Sequence, residues 1–503
     1  ANSDYGPRWA FGVPAIAMSV ATVVFWLGRN RFAVVPAAMQ KPGFAPLAFI
    51  GVFLLMLAVS VAVRMETGNY LLALFSMLAQ LALAAALIIT TGLRNVLPKD
   101  LVAWIERCFT GENLWTILRL CGLYLFIAIF WALWDQSNGN SWTVQAQSGL
   151  MDKHLFGFLE GLPAIFSQML LVAVAALVGY IAFVIVVSVV PFLIMLIKSA
   201  DEVDEANSIK VKPLAIAVGI GAFAGFVANY WGSLGGLASY EMLPAQLQVG
   251  IGLYILLLIP VFTFGVYPLM DKVFKVTPLR KIAIGFFITA ASFLIVAWIE
   301  KRIQDGHSVS LWWQILAYGV LSASEVMVSI TGLEFSYKQA PAAMKSFIMS
   351  LFLLSTSVGN ALTATVNDSM VEPLQATSVE TGVETWVTLS SVADFVPGQK
   401  IDFDGENGIE TLDAEGKNKP LAGTYLVAEI DAAHQRLRLV DKVARKPVVS
   451  RGEFDPGKSE VSTYALVGPN YFLFFSALMA GVAVLFIFFA MQFKEKTHVR
   501  EDA

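Results

Sequence analysis

Charge is what this sequence has least of. Only 14% of its 503 residues are Asp, Glu, Lys or Arg, against 57% that are hydrophobic, and the formal charge is −4. Soluble globular domains carry about 25% charged residues, so the chain is excluded from that class. A nucleic-acid partner is excluded too, because no basic face stands out and the acid excess sits in one polar stretch. Cysteine is nearly absent: Cys108 and Cys121 are the only two, and they fit neither a disulfide framework nor a metal spacing. The four histidines, His154, His307, His434 and His498, fall in different loops, which leaves no cluster for a metal. These shortages point away from an enzyme and from any bound cofactor. No basic segment leads into a short apolar run ending in small residues, so nothing reads as a signal peptide. The chain, starting at Ala1, reads as beginning part-way through something.

Long apolar runs are what the sequence has in abundance, and its mean hydropathy is +0.68. About eleven stretches reach the roughly 20 residues that a membrane-crossing helix needs: 9–28, 44–63, 70–93, 114–135, 163–197, 213–232, 248–269, 281–299, 311–333, 346–366 and 471–493. The protein is therefore expected to be an all-α polytopic membrane protein, with the lipid bilayer as its solvent. The run 163–197 exceeds a straight crossing, so it is tilted or continues beyond the membrane. Lys and Arg keep short loops on the cytoplasmic side. Placing the loop after the first span inside puts eighteen of them in inner loops and five in short outer ones, with the C-terminus inside.

Residues 367–470 break the pattern. They hold seventeen Asp or Glu against ten Lys or Arg, and alternating segments such as T-W-V-T-L, K-I-D-F-D and T-Y-L-V-A-E-I. Thr424–Ile430 and Gln435–Val440, joined through Asp431-Ala-Ala-His434, read as a hairpin. A small all-β domain outside the membrane is expected, either a tolerated surface insertion or a binding or docking module.

Two acids lie where acids are costly. Glu325 sits near the middle of an apolar span and Asp135 ends another, in F-W-A-L-W-D-Q. Ionisable residues inside a membrane are functional candidates by default. Glu334, by contrast, has Lys338 at i+4 near a helix end and reads as a structural pair.

Four segments carry a resemblance. G-P-R-W-A-F-G-V-P-A-I-A-M with F-W-L-G-R-N-R-F (Gly6 to Phe32), F-W-A-L-W-D-Q with S-W-T-V-Q-A (Phe130 to Ala146), G-V-Y-P-L (Gly265 to Leu269) and S-E-V-M-V-S-I-T-G-L-E-F-S-Y-K-Q-A-P (Ser324 to Pro341) together resemble the proton-dependent oligopeptide transporter family of the major facilitator superfamily. They match it from helix six onward. The implied organisation is helix six and an extra hairpin in 1–112, and a C-terminal bundle of helices seven to eleven in 113–366, with an inserted helix pair at about 163–232. The β-rich insertion follows in 367–470, then the last helix and a cytoplasmic tail in 471–503. The insertion is expected outside a bacterial inner membrane. The family's E-x-x-E-R motif does not occur in the 503 residues, and helices one to five are expected from the same gene. Gly250-Ile251-Gly252 stands where relatives often have Asn-Pro.

The resemblance implies a symporter for di- and tripeptides, driven by protons and without a cofactor. It gives Glu325 the role of receiving the peptide's amino terminus and coupling to the proton, and Asp135 that of a second proton-coupling acid. Trp131, one turn before Asp135, and Ser329, one turn after Glu325, are expected at the substrate with Phe352, where relatives carry Trp, and Gln136. Alternatives from the sequence are the same fold carrying nitrate or another small amphipathic solute, or a non-transporting membrane scaffold or receptor that works through the β insertion.

Overall fold

The structure is a computed structural model. It describes residues 45–154 and 241–493, apart from 96–98, 138–140, 245, 342–343, 394, 396, 405–406, 413–417, 442–445, 457–459 and 465, together with scattered positions elsewhere. The expected spans at 9–28, 163–197 and 213–232, the motif Gly6 to Phe32 and the cytoplasmic tail lie outside the described residues. The chain divides into two compact units, and nearly all described residues belong to the one formed by Lys41–His154 and Glu241–Ala503.

That unit begins with α1 (Ala45–Thr67) and α2 (Tyr70–Thr90), which pack together as a hairpin. Gly68 makes the turn at a φ of +68°, a region open to glycine. The Asn69 side chain then caps α2 by accepting from the backbone N–H of Leu71 and Leu72. No residue of α2 is buried, which suits an apolar helix facing lipid. After α3 (Lys99–Phe109) come α4 (Gly111–Ser137) and the short α5 (Ser141–Ala146). The membrane path resumes with α6 (Gln246–Val261), a π turn over Phe262–Val266, and α7 (Tyr267–Asp271). Next are α8 (Pro278–Gln304), α9 (Trp312–Glu325), a second π turn over Val326–Ile330, α10 (Thr331–Gln339), α11 (Lys345–Ser369) and finally α12 (Pro469–Gln492). Among the described residues, seven helical stretches are long and apolar enough to cross a membrane. The protein is a helical multi-pass membrane protein.

Helices rather than strands cross because backbone polar groups in lipid must be satisfied within the segment. They then pack by shape. The largest contacts are α8 with α12 and α4 with α11. The first is an aromatic seam, with Phe286 edge-on to Phe486 at 5.1 Å and Phe293 near Phe475 at 6.3 Å. The second is close enough that a Cβ on Gly359 of α11 would lie 2.5 Å from the Ala128 carbonyl oxygen of α4. Thr363 Oγ1 adds a hydrogen bond to Ala132 O at 2.8 Å. A small residue lets the backbones approach, and a hydroxyl ties them.

The insertion between α11 and α12 is built of strands, as its alternation implies. After the short pair β1 (Met151–Asp152) and β2 (Val309–Ser310) in the bundle, it holds β3 (Val371–Leu374), β4 (Ala376–Glu380), β5 (Thr385–Leu389), β6 (Lys400–Asp404), β7 (Ile409–Leu412), β8 (Asn418–Pro420), β9 (Gly423–Asp431), β10 (Arg436–Asp441), β11 (Ser450–Gly452) and β12 (Glu460–Tyr464). Seven form one sheet in the order β3-β12-β6-β9-β10-β5-β4 and three form another, β11-β7-β8, with every pairing antiparallel. T-W-V-T-L is β5 (Thr385–Leu389), K-I-D-F-D is β6 (Lys400–Asp404), and the hairpin is β9 (Gly423–Asp431) with β10 (Arg436–Asp441). Inward residues Val387, Ile401, Phe403, Val427, Leu437 and Leu439 form the core. β3 (Val371–Leu374) pairs with β12 (Glu460–Tyr464), and Val371 lies opposite Tyr464. The first and last strands of the insertion thus lie side by side.

Candidate functional site

Glu325 is the last residue of α9, and the π turn starts directly after it. A π turn widens the helix locally, and such turns recur at functional sites. The other one, Phe262–Val266, precedes Pro268 in the G-V-Y-P-L motif. In a regular helix the proline ring would meet the carbonyl four residues back, and the wider turn relieves that clash. The two π turns touch: Phe262 packs with Val326 and Met327 in a small buried cluster.

The Glu325 carboxylate has a partner that the motif reading does not supply. Trp134 of α4 donates its indole N–H to Glu325 Oε2 at 2.9 Å, across the gap between two spanning segments. A hydrogen bond to an ionised group is worth about 1.5–3 kcal/mol, and here it fixes the acid's position. Trp131, one turn earlier, stands edge-on to Trp134 with ring centres 5.5 Å apart. Its own indole nitrogen is buried and has no hydrogen-bond partner among the described residues. Trp131 therefore supports the tryptophan that holds the acid.

Asp135 is half-buried and follows Trp134 directly, about 100° further round the helix. Among the described residues, neither acid is within ion-pair distance of a basic side chain; the recorded pairs all lie elsewhere. Glu334 does pair with Lys338, as its spacing implies.

The remaining residues expected at the substrate have the following surroundings. Phe352 is 3% exposed and stacks edge-on against Tyr124 at 5.7 Å, between α4 and Gly332 of α10. It packs between helices. Gln136 has no exposed surface; its Oε1 accepts from Ser141 Oγ at 3.3 Å and ties α4 to α5. Ser329 is half-buried inside the π turn, four residues after Glu325. Trp134 is missed by the sequence because in F-W-A-L-W-D-Q it looks like one more membrane tryptophan. No group of His, Cys, Asp and Glu suited to a metal occurs among the described residues.

The model of the POT family, PTR2, matches residues 1–192 and 229–387. The peptide transporter PTR2 of Saccharomyces cerevisiae is 35% identical over 140 residues, 25% of this chain and 23% of that protein. Solute carrier family 15 member 3 of Mus musculus is 32% identical over 145 residues, 25% of each. The matched region thus spans about a quarter of the length of these relatives. Among solved structures, an auto-inhibited POT family peptide transporter aligns with 98% of this chain and 66% of its own at 19% identity and a TM-score of 0.45. The POT family transporter PepTSo aligns with 73% and 57% at 26% identity and a TM-score of 0.40. With the family model covering well over half of its residues, the chain belongs to the POT family.

Proposed function

We propose that this chain is part of a proton-coupled symporter for di- and tripeptides. In such transporters the solute site lies near the bilayer midplane between two helical halves, and rocking exposes it to either side. The observation that carries this reading is the Trp134–Glu325 pair beside the π turn, an acid positioned within a span but left without a basic partner among the described residues. An acid so placed can accept a peptide's ammonium. The peptide-transporting relatives by name and the family membership support the substrate class. Asp135, the second acid in a span, takes the proton-coupling role. In this account 113–366 and the last helix form one wall of the solute site, 1–112 holds helix six and the lateral hairpin, and a basic partner for Glu325 comes from the rest of the protein. The C-terminus is cytoplasmic and the β insertion lies outside.

The test is dialanine binding to full-length protein carrying Glu325→Gln. Losing the charge at an ion-paired hydrogen bond of about 1.5–3 kcal/mol weakens binding roughly 10- to 150-fold. Parental affinity in that variant would contradict the assignment. A different small amphipathic solute is the second reading, favoured by Gly250-Ile251-Gly252: Gly252 has open space around its Cα and no side-chain amide for a peptide.

A further inference from the structure

The residues on either side of Glu325 rest on α8. Ser324 before it and Met327 and Val328 after it all meet Gly285, where a Cβ would lie 2.5 Å from Val328 Cγ2, 3.1 Å from Met327 Cβ and 3.3 Å from Ser324 O. One turn along α8, Thr289 Oγ1 donates toward Ser324 Oγ at 3.0 Å and toward Gly285 O at 3.0 Å, so its one proton is shared between the two helices. Ser324 Oγ donates in turn to Leu321 O at 2.7 Å. Thr289 and Ser324 have no exposed surface, which shields the tie from bulk water. Ile284 and Ile288 pack on the cluster of Phe262, Val326 and Met327, and with Gly285 and Thr289 they form one stripe at helical spacing. Beside that stripe α12 backs α8, through Phe286 against Phe486 and through Ser476 Oγ, which donates to Ala290 O at 2.8 Å. A displacement forced at the stripe therefore falls on the π turn.

We propose that Gly285 and Thr289 are positioning residues for Glu325, setting the main chain of the π turn so that the carboxylate reaches the Trp134 indole. Gly285 acts by what it lacks. Met327 Cβ and Ser324 O are fixed to the main chain and cannot rotate away from a methyl group, so a methyl at Gly285 moves the segment that carries Glu325. Glycine is a poorer helix former than alanine, and the close approach is what its presence in α8 serves. Thr289 acts by holding Ser324, the residue directly before Glu325, at one depth against α8. That the positioned carboxylate serves a peptide rests on the function proposed above; the packing does not.

The indole N–H resonance of Trp134, in full-length protein carrying isotope-labelled tryptophan in nanodiscs and assigned by its loss in Trp134→Phe, reads the contact directly. It should move upfield in Gly285→Ala and in Thr289→Val, as the hydrogen bond to Glu325 lengthens, and stay in place in Thr289→Ser, which keeps the hydroxyl. Thr289→Val is nearly isosteric and carries the test should Gly285→Ala not fold. Tyr254→Phe is the control: it cuts another hydroxyl tie to the same helix, from Tyr254 to Ile315 O at 3.1 Å, and should leave the resonance unmoved. Dialanine affinity should fall roughly 3- to 10-fold in the two variants that move the resonance and stay parental in Thr289→Ser. A resonance unmoved in Gly285→Ala or in Thr289→Val would overturn the role of that residue, whatever the affinities show. An equal movement in Tyr254→Phe would reduce both to general packing and overturn the proposal. If the resonance moves as expected while Glu325→Gln binds dialanine with parental affinity, the positioning stands and the central reading fails.

Discussion

At the scale of single residues, Trp134 is where structure adds most to sequence. The motif around Glu325 is legible as a costly acid in a span, and Asp135 likewise; the indole that holds Glu325 is not, because pairing across two segments 191 positions apart leaves no local signal. Trp134→Phe keeps the ring and removes the donor. Peptide affinity should fall several-fold, less than in Glu325→Gln, because the carboxylate keeps its charge and loses only one of its hydrogen bonds. Competition binding with labelled dipeptide measures the order of the two variants, and a Trp134→Phe effect equal to the parent would remove the positioning role. Phe352 has its structural partners elsewhere in the sequence. Its place in M-S-L-F suggests a cavity wall, and the structure adds its neighbours Tyr124 and Gly332, which no local spacing announces.

At the scale of elements, the α4–α11 crossing depends on Gly359. A methyl there would lie 2.5 Å from Ala128 O and 2.8 Å from Ala132 N, both backbone atoms that cannot rotate away. Gly359→Ala should therefore destabilise the protein by about 1–3 kcal/mol, the usual cost of overpacking. Gly481→Ala in α12, with nothing within 4 Å of the new methyl, should be neutral or slightly stabilising. Thermal unfolding of both variants in detergent checks the contrast, and equal melting temperatures would contradict it. The glycine itself is visible in the sequence; the close partner that makes it necessary is not.

The β hairpin was legible because alternation, turn residues and strand length agree locally. The structure adds its charges. Arg436 hydrogen-bonds Asp431 at 2.9 Å and pairs with Glu380 at 2.7 Å, while Arg438 pairs with Glu384 at 2.6 Å. The Arg436 guanidinium, with His434 assisting, holds the Asp431 carboxyl at about 2, below its ordinary 3.8. A carboxyl depressed in the folded state adds stability above its ordinary value and loses it as the pH falls through the folded one. Asp431→Asn should thus lower hydrogen-exchange protection of the hairpin at pH 7, and the difference from the parent should shrink between pH 3.8 and about 2. A difference that stays constant through that window would show that the pair is not its source.

At the scale of the whole molecule, the spans and the insertion could be read from hydropathy and alternation, whereas the π turns could not: they follow from how Pro268 and the Glu325 segment meet their neighbours. The insertion closes on itself, with Val371 opposite Tyr464, and paired antiparallel residues stand about 5 Å apart. Deleting 372–466 and bridging the gap with a few residues should leave α11 and α12 in place and transport by the full-length protein largely intact. Uptake assays at matched surface expression measure this; lost uptake would make the insertion part of the transport cycle.

The central claim is that the two membrane acids do different work, Glu325 holding the solute and Asp135 carrying the proton. Its most direct test is paired counterflow and proton-driven uptake of dialanine in proteoliposomes containing full-length protein with Asp135→Asn or Glu325→Gln. Exchange needs no net proton movement, so Asp135→Asn should lose driven accumulation and keep at least part of its exchange, whereas Glu325→Gln should fail in both assays through weakened binding. Accumulation by Asp135→Asn equal to that of the parent would contradict the account.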